Sequence, residues 1–572
     1  MSPLSRLAVG LAVLWLAISA GLAVRVSQHR GFQVDETEHL HAAYLTASGE
    51  QIYTDFWQLH HPLLYAVLAP ITDPEDPVRS YGAARLLMLL MLFGTVVSVG
   101  WGAKFSAERL ARHLGAASPS EAGMWAGILG AGAALGHTTL IERGMEVRPD
   151  GPTTFFITAA LAVELSGRGS DRVRHSLSAV LLSFAFLTTQ KAVFACFFFG
   201  CLWLFRALRL RCPGRVLWPM VAWSAPLALV SLYMTVQGNF AAFVQLCILD
   251  AVSAVSGADY RTPFSPMDFV VAEAGRNVGF CALAVIGAGL AARFLSTPEG
   301  RAVATFPAVF AMGSVASLWA NPFPWPYVHV LVVPSVALVT GTFCAVALAR
   351  RAKSRDWRPG LFPLATVLCL FLLWPTAAPR LLEQGTPLPG HGGQAKQMTL
   401  LQEIERIAES DDAWFDLAGM YFQPDAFRYY ALSEDLYGWY QAGDASIVDS
   451  LRRHEVVGIT FNYRTGHMVA EEKRFVREHF VHYFQNLFVL GCDLAGAPAD
   501  TDLPFELLKT KVMRYDGPGV LRVDGAPFRE GVLEKGVHTL RLDRSPDRAR
   551  LILKTPEPVP EPAAPGAVFV PF

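Results

Sequence analysis

Nowhere in the 572 residues is there a G-x-G-x-x-G turn or a P-loop, which removes the usual backbone cradles for a soluble nucleotide or nucleotide-linked substrate. There is no H-E-x-x-H helix, so zinc-protease chemistry has no footing in the sequence. Cysteine is scarce. Of the eight present, seven (Cys196, Cys201, Cys212, Cys247, Cys281, Cys344 and Cys369) fall in or beside apolar runs, as packing residues do, with no disulfide or zinc spacing. Charged residues make up only 17% of the chain and the formal net charge is -1, so no overall basicity points to nucleic acid. An internal repeat of the sort that builds inverted-repeat transporters is also missing.

What is abundant is apolar sequence. Hydrophobic residues are 52% of the chain, gathered into blocks parted by arginine-rich gaps, the profile of an α-helical polytopic membrane protein. Blocks near 7–24, 82–103, 121–140, 152–166, 177–189, 192–205, 217–237, 279–295, 304–320, 328–349 and 360–378 predict about eleven spans, several shorter than the ~20 residues a perpendicular helix needs. The first block is read as a retained span, although Ala20 and Ala23 also resemble a signal-peptide cleavage site. With the N-terminus in the cytoplasm, four inside loops collect the cations: Lys104, Arg109 and Arg112; Arg168, Arg172 and Arg174; Arg206, Arg209, Arg211 and Arg215; Arg350, Arg351, Lys353, Arg355 and Arg358. The opposite face has few, and the positive-inside rule sets the orientation. Segments 31–80, 141–151, 238–278 and 321–327 then lie outside, with everything after about residue 380.

Residues 1–379 thus form a transmembrane domain, and from 380 the chain changes character. MTLLQEIERIAES and ASIVDSLRRH have amphipathic-helix spacing, while AWFDL and VVGITFNY read as short strands, so 380–555 is an extracytoplasmic α/β module. VLRVDGAPFREGV and HTLRLD are hairpin-like, and the Pro-rich end, 556–572, is expected to be extended and disordered. Trp414, Tyr421, Tyr429, Tyr430, Trp439 and Tyr440 suit contact with a sugar and suit an α/β core equally well.

The functional interest lies in the first outer segment, GFQVDETEHLHAAYLTASGEQIYTDFWQLHHPLL, which is crowded with groups a bilayer would reject. Asp35 to Gly49 reads as a capped helix of about three turns, too short and polar to span. Asp35 is either its N-cap or a carboxylate facing a cleft, and the two roles are compatible. Glu36 and Glu38 complement the helix dipole in its first turn. His39, His41, His60 and His61 admit an interfacial role or, for His39 and His60, a divalent-metal role, since Asp35 and His39 lie one turn apart. Tyr53, Asp55, His61 and Pro62 form a turn back towards the membrane. A second cluster, IERGMEVRPDGPTTFF, brings Glu142, Arg143, Glu146, Arg148 and Asp150 to the outer end of a span, with Arg148 and Asp150 as an ion pair or an anchor. Lys191, in LTTQKAVF, sits near the outer face, where it snorkels or serves a site.

Taken together, Asp35-Glu36, the G-x-x-x-Y-x-D-F pattern from Gly49 to Phe56, His61-Pro62-Leu63, Arg148-Pro149-Asp150 and LTTQK ending in Lys191 resemble the polytopic GT-C glycosyltransferases. The similarity is to bacterial relatives of dolichyl-phosphate-mannose protein mannosyltransferases and lipid A aminoarabinose transferases, over roughly residues 1–380. The chain departs from the pattern in having His61-Pro62 where two prolines are common, and LTTQK where LTK is common. The resemblance implies an enzyme of the bacterial cytoplasmic membrane that uses a polyprenyl-phosphate sugar donor and a lipid, glycan or protein acceptor. It implies Asp35 as the catalytic base with Glu36 in support, and Arg148, Lys191 and then Arg143 as holders of the lipid phosphate. Tyr53, Asp55, His61 and Asp150 are implied on the acceptor or sugar side, a divalent metal remains an option, and direct displacement would invert the sugar.

The alternative is a transporter or flippase of lipid-linked sugars, which would place its polar groups nearer the midplane of broken helices. All three charged clusters precede residue 192, so the module is expected to shape acceptor choice and to supply no bond-making group. A cytoplasmic reporter fused after residue 400 is expected to be silent, and strong reporter activity there would overturn the orientation.

Overall fold

Every apolar block becomes helical in the computed structural model, which describes residues 3–116, 118–250, 252, 266–320, 326–354, 361–385, 393–422, 431, 446–557 and 568–569. The first eight helices are α1 (Pro3–His29), α2 (Val34–Ala47), α3 (Leu63–Leu68), α4 (Pro77–His113), α5 (Pro119–Leu135), α6 (Thr138–Gly144), α7 (Asp150–Ser166) and α8 (Asp171–Thr188). Long apolar helices follow over Val193–Arg209, Gly214–Gln237, Val278–Leu295, Pro298–Ala320 and His329–Ser354, with shorter ones over Leu361–Phe371 and Trp374–Gln384. Among the described residues, six helices are long and apolar enough to cross a bilayer, or seven if α5 and α6, bent by 67°, count as one span. Eleven blocks were expected; the difference lies in helices such as α7, of 17 residues, and Leu361–Phe371, of 11, which fall short of ~20. Leu229, Leu232, Tyr233 and Val236 on Gly214–Gln237 are exposed, as lipid-facing side chains are.

The bundle centre is built by small residues. A Cβ on Gly127 would meet the Gly100 carbonyl at 2.9 Å, and one on Gly341 would meet the Gly130 nitrogen at 2.6 Å, so α4, α5 and His329–Ser354 approach backbone to backbone.

At the outer end of this bundle a buried ion pair joins three helices. Arg85 of α4 grips Glu36 of α2 through Nε to Oε2 at 3.0 Å and through its second terminal nitrogen to Oε1 at 2.7 Å. The same guanidinium donates to the carbonyls of Ser27, Arg30 and Gly31, which the end of α1 leaves without helical partners. Glu36 also accepts the N–H of Gln33 at 2.9 Å and of Val147 at 3.1 Å. The N-cap of α2 therefore lies two residues earlier than Asp35, where the sequence suggested it. Gln33 takes the cap position, Glu36 satisfies its N–H, and Asp35 is released from capping.

The outer module has two sheets made from β1 (Ala413–Phe415), β2 (Val456–Thr460), β3 (Phe480–Phe484), β4 (Leu487–Asp493), β5 (Leu503–Leu507), β6 (Lys511–Asp516), β7 (Leu521–Val523), β8 (Ala526–Phe528), β9 (Glu530–Leu533), β10 (Gly536–Leu542) and β11 (Arg550–Leu553). One sheet runs β1-β2-β4-β11-β6-β9 with β3 also paired to β4, and the other runs β5-β10-β7-β8. Among the named strands, β1 and β2 pair in parallel and the other pairs are antiparallel. Helices Gln394–Ile407, Ile447–Arg453 and Ala470–His479 accompany them, so the module is α/β in its first part and all-β in its last. The β7–β8 turn is Asp524-Gly525 with φ of 51° and 84°, the left-handed pair that a two-residue hairpin needs. Trp414 is buried with its Nε1 donating to Thr460 Oγ1 at 2.9 Å, a core role. Tyr429, Tyr430, Trp439, Tyr440, Arg355 and Arg358 lie outside the described residues, as does most of the Pro-rich tail. Val568 and Phe569 near its end are buried in the module, with Gln397 donating to the Val568 carbonyl at 2.9 Å, because two apolar side chains gain more by packing than by hydration.

The module is seated on the outer segment. Thr37 Oγ1 donates to the Ala418 carbonyl at 2.7 Å, Tyr81 donates to that of Met420 at 3.0 Å, and Phe422 stacks between Tyr44 and Tyr81. Residues from both domains share one hydrophobic core.

Removing one partner of a buried ion pair strands the other charge. Arg85→Met is therefore expected to cost about 3–5 kcal/mol, read as a lowered Tm of the detergent-solubilised protein, with part of the loss recovered in the double variant R85M/E36Q. An unchanged Tm in R85M would rule out the pair as the tie among α1, α2 and α4.

Candidate active site

With Glu36 turned inward, Asp35 and Glu38, three positions apart, share the other side of α2, where each stays partly exposed. Arg148, from the turn before α7, donates to Asp35 Oδ2. Its Nε lies 3.7 Å from Asp150 Oδ2, and Lys191 Nζ lies 2.8 Å from Asp150 Oδ1. The Arg148 guanidinium sits 3.7 Å from the centre of the Tyr327 ring and Lys191 Nζ 4.5 Å from it, so both cations converge on one aromatic face. On the far side of Asp35, Arg464 of the module places a terminal nitrogen 3.3 Å from Oδ1 and 3.4 Å from Glu38 Oε2. Charges alternate along this chain: Arg464, Asp35, Arg148, Asp150, Lys191.

Of the residues that sequence motifs singled out, the structure brings together Asp35, Arg148, Asp150 and Lys191. Glu36 lies beneath them, 0% exposed and held by Arg85. Arg143 is buried on Glu146 at 2.8 Å, which Arg30 also grips at 2.6 Å, in a network next to the cleft. Tyr53 is buried with its hydroxyl donating to the His60 carbonyl at 2.8 Å, in a left-handed backbone conformation of φ 79°. His61 is buried, its Nδ1 against the Phe186 carbonyl. Asp55 is exposed and closes its own turn by accepting the Gln51 N–H at 2.7 Å. These three shape the loop beside the cluster.

His39 and His60 stack edge to face at 5.1 Å, and His39 Nδ1 is 3.0 Å from the Tyr65 hydroxyl. Burial, reinforced by Lys191, pushes His60 down to about 3, and burial with His60 and Arg148 lowers His39 as well. Both rings are therefore neutral at pH 7, and among the described residues they belong to no group of three with metal-ligand spacing. Among the described residues, the one trio with metal-ligand spacing is Glu409, Asp411 and Asp412, where Lys509 and Lys511 each lie 2.7 Å from Asp412.

Three participants escaped the sequence reading: Arg464, Tyr327 and the pairing role of Glu38. Arg464 had been excluded with its whole module. Its position follows from β2, whose end leads into Asn462; Arg464 donates its N–H to Asn462 Oδ1 at 2.8 Å. Nothing in FNYRTGHM distinguishes this arginine from the others of the module.

The two carboxylates are driven apart in acidity. Burial alone would raise Asp35, but Arg148 and then Arg464 outweigh it and hold Asp35 down to about 2. Burial pushes Glu38 up to about 7, with Asp35 adding to the rise and Arg464 only partly opposing it. Where Glu38 holds its proton, below about pH 7, three cations (Arg148, Lys191 and Arg464) stand beside two carboxylates, Asp35 and Asp150.

No protein-family model matches the chain, and no curated protein matches it in sequence. In three dimensions it is similar to ArnT from Cupriavidus metallidurans. The ArnT crystal structure bound to undecaprenyl phosphate matches with a TM-score of 0.54 at 13% identity, covering 84% of this chain and 98% of that one. The apo ArnT structure matches at 0.50 and 13%, covering 94% and 98%. At such identity the likeness establishes the fold alone, an ArnT-like one in keeping with the resemblance that the sequence motifs carry, and leaves the chemistry to the residues.

Because the folded state holds the Glu38 proton more tightly than an unfolded chain would, folding loses stability as pH rises from about 4.5 to about 7. Tm measured from pH 5 to pH 8 is expected to fall in the wild type, with a smaller slope in Glu38→Gln; equal slopes would remove Glu38 as the titrating group.

Proposed function

We propose that the chain is a membrane glycosyltransferase that moves a sugar from a polyprenyl-phosphate carrier to an acceptor hydroxyl at the outer membrane surface, with Asp35 as general base. The observation that carries this reading is the convergence of Arg148 and Lys191 on the Tyr327 face beside a carboxylate that opens to the cleft. Two cations on one aromatic plate make a seat for a phosphate, since charge-assisted contacts hold that group most strongly near a low-dielectric surface.

The reaction follows from these positions. Asp35 accepts the acceptor's hydroxyl proton as the acceptor oxygen bonds to the anomeric carbon. The bond from that carbon to the lipid phosphate breaks, and its electron pair leaves on the phosphate, which Arg148 and Lys191 stabilise. Attack opposite the leaving group inverts the anomeric centre.

A base held down to about 2 is a weak one, so donor binding is part of its activation. The donor phosphate competes with Asp35 for Arg148; as Arg148 turns to it, the largest force holding Asp35 acidic is withdrawn and its proton affinity rises. Lys191 exchanges Asp150 for the phosphate in the same way. Glu36 is then a positioning group, Arg143 a support for Glu146, and Tyr53, Asp55 and His61 the wall on the sugar or acceptor side.

An apolar groove of about 240 Å³ between α3, α4, α7 and α8, lined by Leu63, Leu64, Met88, Met91, Phe156 and Phe184, suits a prenyl tail. Its rim includes Pro152 and Thr188, close in sequence to Asp150 and Lys191. Undecaprenyl phosphate in the similar ArnT structure supports this carrier class. The bacterial cytoplasmic membrane, with the N-terminus inside, is the matching location.

Membranes carrying the protein are expected to transfer sugar from at least one member of a polyprenyl-phosphate-sugar panel. Asp35→Asn should lower turnover by about 10²–10⁴-fold while donor still binds. Arg148→Gln and Lys191→Met should each weaken donor binding by about tenfold, equivalent to 1.4 kcal/mol. Accelerated passage of the donor across vesicles without transfer, unaffected by D35N, would replace this reading with a flippase.

A further inference from the structure

Arg464 is only 4% exposed, though it belongs to the outer module, and it touches the membrane domain's candidate base directly. Asp35 sits between two guanidiniums of different origin: Arg148 from the membrane domain on Oδ2 and Arg464 from the module on Oδ1. Arg464 also reaches Glu38 with both terminal nitrogens at 3.4 Å, and its Nε faces the Tyr463 hydroxyl at 3.4 Å.

Its place is fixed through a closed circuit. Arg464 donates its N–H to Asn462, whose Nδ2 donates to the Asp416 carbonyl at 2.5 Å. The Asp416 carboxylate gathers the N–H groups of Ala418, Gly419 and Met420 at 2.7–2.8 Å. Ala418 and Met420 then accept from Thr37 on α2 and Tyr81 on α4. The route leaves α2, passes through the module and returns to α2 at Asp35 and Glu38, so the guanidinium is held in register with the carboxylates it meets.

We propose that Arg464 is a positioning residue for the transfer reaction, supplied by the outer module to keep Asp35 aimed at the acceptor while Arg148 turns to the donor phosphate. The proposal rests on the transferase reading above. Arg464 approaches the opposite oxygen of Asp35 from Arg148, and its remaining partners are Glu38 and Tyr463, with no contact to Asp150 or Lys191 among the described interactions. It therefore acts on the base and leaves the phosphate seat alone. When Arg148 departs, Arg464 remains as the cation that fixes the rotamer of Asp35, and a carboxylate misplaced by about 1 Å can cost about 10²-fold in rate.

The experiment compares steady-state kinetics of the full-length wild type with Arg464→Gln, Arg464→Lys and the docking control Thr37→Val, using the donor that supports wild-type transfer. R464Q is expected to lower kcat by about 10- to 100-fold with donor KM within about twofold of wild type, and R464K to recover part of kcat because it returns a cation to Asp35. T37V, which removes one link of that circuit and leaves Arg464's own contacts to Asp35 and Glu38 in place, should lower kcat by less than R464Q does. A rise in donor KM like that of R148Q, an unchanged kcat in R464Q, or a T37V loss equal to that of R464Q would each overturn the proposal. Wild-type membranes inactive with every donor would sink the transferase reading and this proposal with it; an active wild type with an indifferent R464Q sinks this proposal alone.

Discussion

Everything at the outer face depends on the buried pair between Glu36 and Arg85. Such a pair adds little net stability over an apolar replacement, because desolvation offsets most of the attraction; its value is in specifying one arrangement. Here it specifies the rotation of α2. With 3.6 residues per turn, fixing Glu36 towards the bundle obliges Asp35 and Glu38 to emerge together on the far side. The same arginine closes the end of α1, and Glu36 accepts the N–H of Val147, one residue before Arg148. One ion pair thus sets both the carboxylate and the cation of the cleft.

The cleft then stores charge in a form that substrates can rearrange. Each of Asp35, Arg148, Asp150 and Lys191 has an opposite charge beside it, which offsets the cost of burying it. In the proposed reaction an incoming phosphate exchanges partners with groups already desolvated, which keeps the reorganisation small and would tie the proton affinity of Asp35 to donor binding.

Much of this was legible in the sequence, and the missing parts share a cause. Arg148, Asp150 and Lys191 stood out because a charge at the end of an apolar run is costly and so carries information. Asp35 stood out through its place in an acidic outer segment. Arg85 offered a similar signal, a guanidinium two turns into α4 and next to its apolar run, and its weight appears only when Glu36 is seen beneath it. The N-cap falls two residues before the expected Asp35: Asp is a better cap than Gln by propensity, and the tertiary demand for Glu36 overrides that preference. Arg464 was out of reach for a different reason. In a soluble module charged side chains are common and cheap, so composition could not mark the one that a long-range fold contact delivers to the membrane surface.

On the proposed transferase reading, that contact extends the module's part beyond acceptor choice, since the module shares a hydrophobic core with α2 and places a guanidinium on Asp35. If Asp35 is the base, it is complete only when both domains are docked, and the two guanidiniums divide their duties. In the proposed reaction Arg148 is the cation that a lipid phosphate draws away, while Arg464, held through Asn462 and Asp416, keeps its place. The asymmetry would then convert donor binding into a directional change at Asp35, with its acidity relaxed on one oxygen while its position is kept by the other.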